Sequence, residues 1–584
     1  MMRTTMRQNL PAAVCLAVLA AACVRIPAQT APPNPETQTA PADVAPPASV
    51  APADLPPASL AAQISELVNE PAVARDHWGL LVTNLDGALI YGLNQGQLFQ
   101  PASNAKLFTT AAALALMGAD KHFTTQVVAS GNLDKKGVLH GDLKLVGGGD
   151  PSFGTHDLPY LAPSQRPKST GVAPPTLADV EELADKVYAA GLRRVEGDVV
   201  GDDWRFNWEP YPPDWSLDDL VYGYGAPVSA LSVHDNEIEV RVSPGAKRDL
   251  GSYSVYAKGV IQADPDVPYY SIEDDVSTAE MTPPQNCDTE VGYQRDQGTK
   301  NLVVYGALDP NQAPCTQAVA IADPAEYAAM TLKAALERRG VLVTGTAKAK
   351  HSTWRYPNPS TRVDPFADFF LSAALPRKHY SPNADPMSCD AQKVTGPQEP
   401  VQTVLATHES ARLAEDVKFT LKVSQNLHAE ILLRDVGAAA GCEHTQASGL
   451  TVMREFLPHV GIEKGDFALV DGSGLSDHDL VTPRATAKLL QYATTQPWFA
   501  DWKAGLPIGG EDGSLASRFG KAPLKDHVFA KTGTLGEARA LSGYVDCASG
   551  RTVIFSIMVG NHLPGDSSDR VVMDKIVAAI AAVE

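Results

Sequence analysis

Apolar and polar positions divide the chain into segments of different period. Trp78 to Leu85 is mostly apolar and reads as a strand. Asp86-Gly87 follows as a hairpin signal, and Ala88 to Gly92 starts the return strand. Pro101-Ala-Ser-Asn-Ala-Lys opens a helix that runs to about Met117, with Pro101 suited to a first turn. From His122 to about residue 350 the pattern becomes short strands broken by Gly, Asp and Pro. Helices interrupt it near 176–191 and 324–339. Residues 351–404 have weak periodicity and read as a long loop or a disordered stretch.

Helical spacing returns at Leu413, Val417, Leu421, Leu427, Ile431 and Leu432. The spacing predicts one helical segment through these positions, then helices near 447–459 and 482–496. Strands are expected at His527–Thr532, Ala540–Asp546 and Thr552–Gly560, and a last helix at 567–582. Strands and a helix at the start match helices and strands at the end. One domain interrupted by a large insertion accounts for both.

The N-terminus has its own pattern. Arg3 and Arg7 precede an apolar run from Leu10 to Val24 that is too short to span a bilayer comfortably. It reads as a signal peptide over residues 1–28, with cleavage after Ala22 or Ala28. Cys23 follows Leu-Ala-Ala-Ala and is a candidate lipid anchor. Residues 29–59 are rich in Pro and Ala and read as a tether.

Composition adds exclusions more than assignments. The chain has 584 residues, enough for more than one domain. A net charge of -20 argues against a nucleic-acid partner, which would call for a basic face. The 14 His are scattered, none at a metal-ligand spacing with acids, and no CxxC pair occurs. No metal and no cofactor is expected. Gly147-Gly-Gly149 lacks the context of a phosphate loop and reads as a tight turn. Export permits disulfides. Cys287 with Cys315 is the first expected pair and Cys389 with Cys442 the second, although sequence does not fix connectivity.

Three short motifs carry chemistry. Ser103-Asn-Ala-Lys106 puts a hydroxyl and an amine on one helix face, three residues apart. A serine needs a base, and a buried, neutral lysine supplies one. Ser424-Gln-Asn426 offers a second hydroxyl to pass the proton to a leaving amine. Its Asn amide is expected to hold both Lys106 and a substrate carbonyl. The same SxN pattern recurs at Ser130 and Ser381, so alone it is weak. Lys531-Thr532-Gly533-Thr534 lies on an expected strand along which a peptide could add as a further strand. Gly533 is expected to keep that edge clear. Lys531 and the Thr532 and Thr534 hydroxyls would bind a terminal carboxylate. The N–H groups of Ser103 and Thr534 are candidates for an oxyanion hole.

The order SxxK, SxN, KTG resembles the penicillin-binding proteins and serine β-lactamases. Further residues narrow it: Trp78-Gly, Pro101-Ala-Ser103, Asp142-Leu-Lys-Leu-Val-Gly-Gly-Gly-Asp150-Pro151, Leu231-Ser-Val-His-Asp-Asn236 and Asp471-Gly-Ser-Gly-Leu-Ser476. From about residue 60 to the end the chain resembles the type-4 low-molecular-mass family of D-Ala-D-Ala carboxypeptidases and endopeptidases. The resemblance implies an α/β (α+β) transpeptidase/β-lactamase-like domain, 60–124 with 405–584. It implies two mainly β insertions, 125–148 with 232–350, and 149–231. It implies a Ser103 acyl-enzyme formed with peptidoglycan stem peptides, β-lactams as inhibitors, and a place in the cell envelope. Asp477 stands where family members often carry Arg, and is either a specificity change or a solvated loop acid. A β-lactam hydrolase and a non-catalytic scaffold remain the rival readings, and the insertion of more than three hundred residues between Ser103 and Ser424 argues against the first.

Overall fold

The computed structural model describes residues 59–583 except 155–157, 167–176, 251–253, 282–286, 288–290, 297, 353–401 and 442–443. The signal peptide, the tether, Cys23 and the Cys389–Cys442 pairing lie outside the described residues, as does nearly all of the 351–404 stretch. No helix among the described residues is long and apolar enough to cross a membrane.

The central element is a five-stranded sheet with the order Leu89–Leu93, His77–Asn84, Thr552–Gly560, Ala538–Asp546, Val528–Thr534. Every neighbouring pair is antiparallel. First and last segments of the chain therefore meet in one sheet. Thr552–Gly560 reads as a nearly continuous apolar run, interrupted at Ser556, because both its faces are covered. Val553, Phe555, Ile557 and Val559 pack toward the helices Leu60–Val68 and Ser568–Val583. Ile554 and Met558 pack toward a helical layer that includes Ala105–Met117 and Pro483–Ala493. Each such side chain buried contributes roughly 1.5–3 kcal/mol.

Between the two halves of that domain lies the insertion. One sheet has the order Leu342–Val343, Arg194–Val195, Val138–Val146, Thr124–Leu133, Gln402–Glu409, and Val199–Asn207 also flanks Val138–Val146. Smaller sheets hold Glu237–Ser243 between Val260–Asp264 and Cys315–Ala320, and Asn301–Leu308 between Ser271–Thr278 and Val291–Arg295. Cys287 and Cys315 form a disulfide, the first expected pair. Cys547 is a buried free thiol.

The strands pair across the expected module boundary. Leu143 to Val146 lie parallel to Val199 to Asp202, so part of 149–231 shares a sheet with part of 125–148. Parallel neighbours need a long crossover, and the helix Ala178–Ala189 lies between them in sequence. Gln402–Glu409, assigned in part to the catalytic segment, pairs instead with Thr124–Leu133.

Candidate active site

Ser103 sits in a single 3-10 turn, Ala102–Asn104, that runs directly into the helix Ala105–Met117. Ala102 has φ +46°, a left-handed conformation that non-glycine residues adopt at a cost. Neighbours hold it there. Asn104 Nδ2 donates to Ser542 Oγ at 2.8 Å, which fastens the turn to the sheet. The helix that follows is buried over its first ten residues, which include four alanines, so Lys106 has no route to solvent.

Lys106 is fully buried. Its Nζ donates to Ser103 Oγ at 2.9 Å, to Asn426 Oδ1 at 2.6 Å and to the Ser473 carbonyl at 2.7 Å. Three donors meet three acceptors, none of them a carboxylate. Burial lowers the amine to about 7, against the opposing pull of Asp471, Glu430 and Asp479 further off.

Ser424 is not inside a continuous helix, as the spacing predicted. The helix Leu413–Phe419 widens into a π turn, Thr420–Ser424, and breaks. Ser424 has φ +65°, and a new helix starts at Asn426. Gln425 caps it by accepting from Leu427 N. The widened turn is anchored by buried Lys422, whose Nζ donates to both Asp512 oxygens and to the Leu506 carbonyl. The break turns Ser424 Oγ toward Lys531, whose Nζ donates to it at 2.9 Å. Asn426 Oδ1 accepts from Lys106, and its Nδ2 donates to the Tyr224 carbonyl of the insertion at 2.8 Å.

Lys531 is the second fully buried lysine of the cluster. Burial, and then the nearby Lys106 charge, hold its amine well below the usual lysine range. Thr532 Oγ1 is 2.6 Å from Ser514 Oγ, and Thr534 is exposed. Gly533 does keep a face clear, but for the serine turn. A Cβ there would stand 2.5 Å from the Pro101 carbonyl oxygen and 3.1 Å from Ser103 N. All three motifs thus converge on Ser103.

The loop that completes the cluster left a weaker mark in the sequence. Asp471 stood out in the sequence only within the segment Asp471-Gly-Ser-Gly-Leu-Ser476. Its buried carboxylate accepts from the N–H groups of Ser473, Gly474, Leu475 and Ser476 and from the Trp215 indole. Glu430 Oε1 accepts from Gly472 N and Ser473 N. Together they aim the Ser473 carbonyl at Lys106. A backbone acceptor has no side-chain signature, so the motif marked the loop but not the role of its carbonyl. Gly474 has φ +77°, and a Cβ on it would overlap the Ala102 carbonyl. His428, also buried, lies 2.9 Å from Asp235 and 2.7 Å from Asp416, and these acids raise it to about 10 against the effect of burial.

A family model, described as D-Ala-D-Ala carboxypeptidase 3 (S13), matches residues 60–356 and 389–583. The chain belongs to that S13 family. Membership makes it a hydrolase that acts on peptides. A D-alanyl-D-alanine carboxypeptidase of Actinomadura sp. (strain R39) is 31% identical over 516 residues, 85% of this chain and 80% of the relative. The D-alanyl-D-alanine carboxypeptidase DacB of Haemophilus influenzae is 24% identical over 499 residues, 84% of this chain and 86% of the relative. Among solved structures, penicillin binding protein 4 (dacB) from Haemophilus influenzae superposes with TM-score 0.67 at 21% identity. That match covers 88% of this chain and 98% of the other. The S13 fold, a transpeptidase-like domain with a large insertion, is therefore the fold of this chain.

Proposed function

We propose that this S13 member is a penicillin-sensitive serine DD-peptidase acting on the D-Ala-D-Ala end of peptidoglycan stem peptides. The observation that carries the reading is the Lys106 amine, buried away from carboxylate contacts and 2.9 Å from Ser103 Oγ. Lys106 takes the Ser103 proton as Oγ attacks the penultimate D-Ala carbonyl. The N–H groups of Ser103 and Thr534 stabilise the oxyanion. As the C–N bond breaks, the proton reaches the leaving amine through Ser424, which Lys531 holds by its hydroxyl. Water then attacks the ester and frees Ser103.

Asn426 keeps Lys106 in line. A terminal carboxylate beside Lys531, Thr532 and Thr534 adds the opposite charge that draws a proton back onto Lys531. A β-lactam acylates the same serine. In the family, release of terminal D-Ala and cleavage of a cross-link use one chemistry, so both fit the site. The Actinomadura relative's name and the Haemophilus complex with a β-lactam support this assignment of substrate and inhibitor. Such a substrate requires export to the cell envelope, in agreement with the leader and candidate lipid anchor read from residues 1–28.

The test is labelling by fluorescent penicillin beside a Ser103→Ala variant, with release of D-Ala from a stem peptide measured in parallel. A stable adduct on Ser103, absent from the variant, together with D-Ala release, is the expected result. Rapid destruction of the antibiotic without an adduct would instead identify a β-lactam hydrolase. No adduct with the antibiotic intact would identify a scaffold.

A further inference from the structure

The insertion holds a cluster that the peptide chemistry does not use. Asp179 and Glu182 lie three residues apart on one face of the helix Ala178–Ala189. His408 reaches them from the strand Gln402–Glu409. One ligand atom from each residue lies within 4.8 Å of the other two.

His408 is the informative member. Its side chain is only 14% exposed and packs edge-on against Phe153. Yet the nearest carboxylate oxygens are too far to hydrogen-bond either ring nitrogen. Nδ1 is 3.9 Å from Asp179 Oδ1, and Nε2 is 3.9 Å from Asp150 Oδ2. Asp150 is 1% exposed; its Oδ1 accepts from Ser152, and its Oδ2 has no hydrogen-bond partner among the described residues. His351, elsewhere in the insertion, shows the contrast. It also lies between two carboxylates, Asp203 and Asp323, and there the ring closes onto them at 3.0 and 3.2 Å.

Two ligands bonded to one tetrahedral ion at about 2.0–2.2 Å each stand roughly 3.5 Å apart, so the 3.9 Å gap would have to close by about half an ångström on binding. A ligating imidazole commonly turns its other nitrogen to a carboxylate, which fixes its orientation. Asp150 Oδ2 lies on that side of the ring at 3.9 Å, and a small shift of His408 would bring the Nε2–H to it. Gly154 N donates to Asp179 Oδ2 and leaves Oδ1 on the His408 side. Lys186 pairs with Glu182 Oε1 at 2.8 Å, and a carboxylate has a second oxygen to offer a cation.

We propose that His408 Nδ1 and one carboxylate oxygen each from Asp179 and Glu182 bind a divalent cation of the zinc class, with Asp150 orienting His408. One imidazole and two carboxylates suit Zn2+ or Mn2+ better than Ca2+, which takes oxygen ligands. The ion clamps the strand Gln402–Glu409 to the crossover helix. Because that strand leads into the helix Leu413–Phe419 and then Ser424, the ion steadies the insertion without entering the chemistry.

Full-length protein stripped with a chelator would be titrated with Zn2+, Mn2+ and Ca2+ by calorimetry and followed by thermal unfolding. Glu182→Gln, on an exposed side chain, and His408→Gln would be run beside it. The expected result is one Zn2+ per chain, a rise in unfolding temperature, and a loss of affinity of at least about tenfold in both variants. Calcium should bind more weakly. Uptake of no divalent ion by the wild type, or wild-type affinity in Glu182→Gln, would overturn the proposal and leave the cluster as a network of ion pairs.

Discussion

Asn426 Oδ1 lies 2.6 Å from Lys106 Nζ, although 320 residues separate the two in sequence. Tyr224, from the insertion between them, accepts a hydrogen bond from the other end of the same amide. The insertion is thus part of how Lys106 is held.

Acylation should depend on the charge of Lys106. Its amine titrates at about 7, so the neutral base becomes available as pH rises through 7. The second-order rate of acylation by a chromogenic cephalosporin should climb across that pH and level off above it. A flat profile between pH 5 and 9 would count against Lys106 as the base. Lys106→Ala should slow acylation on the order of 10²–10⁴-fold. Because the folded amine sits below the ordinary lysine value of 10.5, the unfolded chain binds more protons between about 7 and 10.5. Through this group the fold gains stability as pH rises across that window.

Asn426→Ala removes an acceptor from a fully buried amine. The cost should be about 1–3 kcal/mol of stability together with slower acylation. Urea unfolding and penicillin labelling of the same sample would separate the two. Unchanged acylation at full occupancy would show that Asn426 does not hold the base.

Gly474→Ala tests the contact between the Asp471 loop and the serine turn. Left-handed backbone costs a non-glycine residue roughly 1–2 kcal/mol, and the added methyl overlaps the Ala102 carbonyl. Acylation should fall more than global stability, because the displaced group is the turn that carries Ser103. Equal acylation rates for variant and wild type would refute this.

Asp477 is exposed at the rim of the site, where its backbone carbonyl accepts from Gln100 Nε2, three residues before Ser103. Burial raises the nearby Asp219 carboxyl against the hydrogen bond it accepts from Tyr224, and the charges of Asp477 and Asp218 raise it further. An acidic rim disfavours a peptide side chain ending in a carboxylate and favours one with an amine. Hydrolysis of stem peptides with and without that carboxylate should differ, and Asp477→Arg should narrow the difference. Equal rates would leave Asp477 a solvated loop acid.

Reduction of Cys287–Cys315, which closes a loop of 28 residues, should cost about 3–4 kcal/mol. The loss belongs to the insertion. Thermal unfolding with and without reductant would measure it; no shift would mean that the loop is equally constrained without the bond.

Much of the site was legible because its chemistry is local. Ser103 and Lys106 need only one helical turn to meet, and Lys531 to Thr534 need only a strand. Apolar period likewise gave the central strands within a residue or two: Thr552–Gly560 was read with the bounds it has. The sequence by itself thus determined the meeting of Ser103 with Lys106, the strand beside it and the two-part central sheet. Three things waited for the tertiary structure. The bend at Ser424 depends on Lys422 finding Asp512, 90 residues on, and helical spacing carries no sign of that. The Ser473 carbonyl meets Lys106 only because Asp471 and Glu430 fold a backbone loop around their carboxylates. Parallel pairing of Val138–Val146 with Val199–Asn207 reassigned the insertion, since a crossover helix looks the same in sequence whichever sheet it joins. Period and spacing are properties of one segment; left-handed turns, backbone acceptors and strand partners are set by what packs against them.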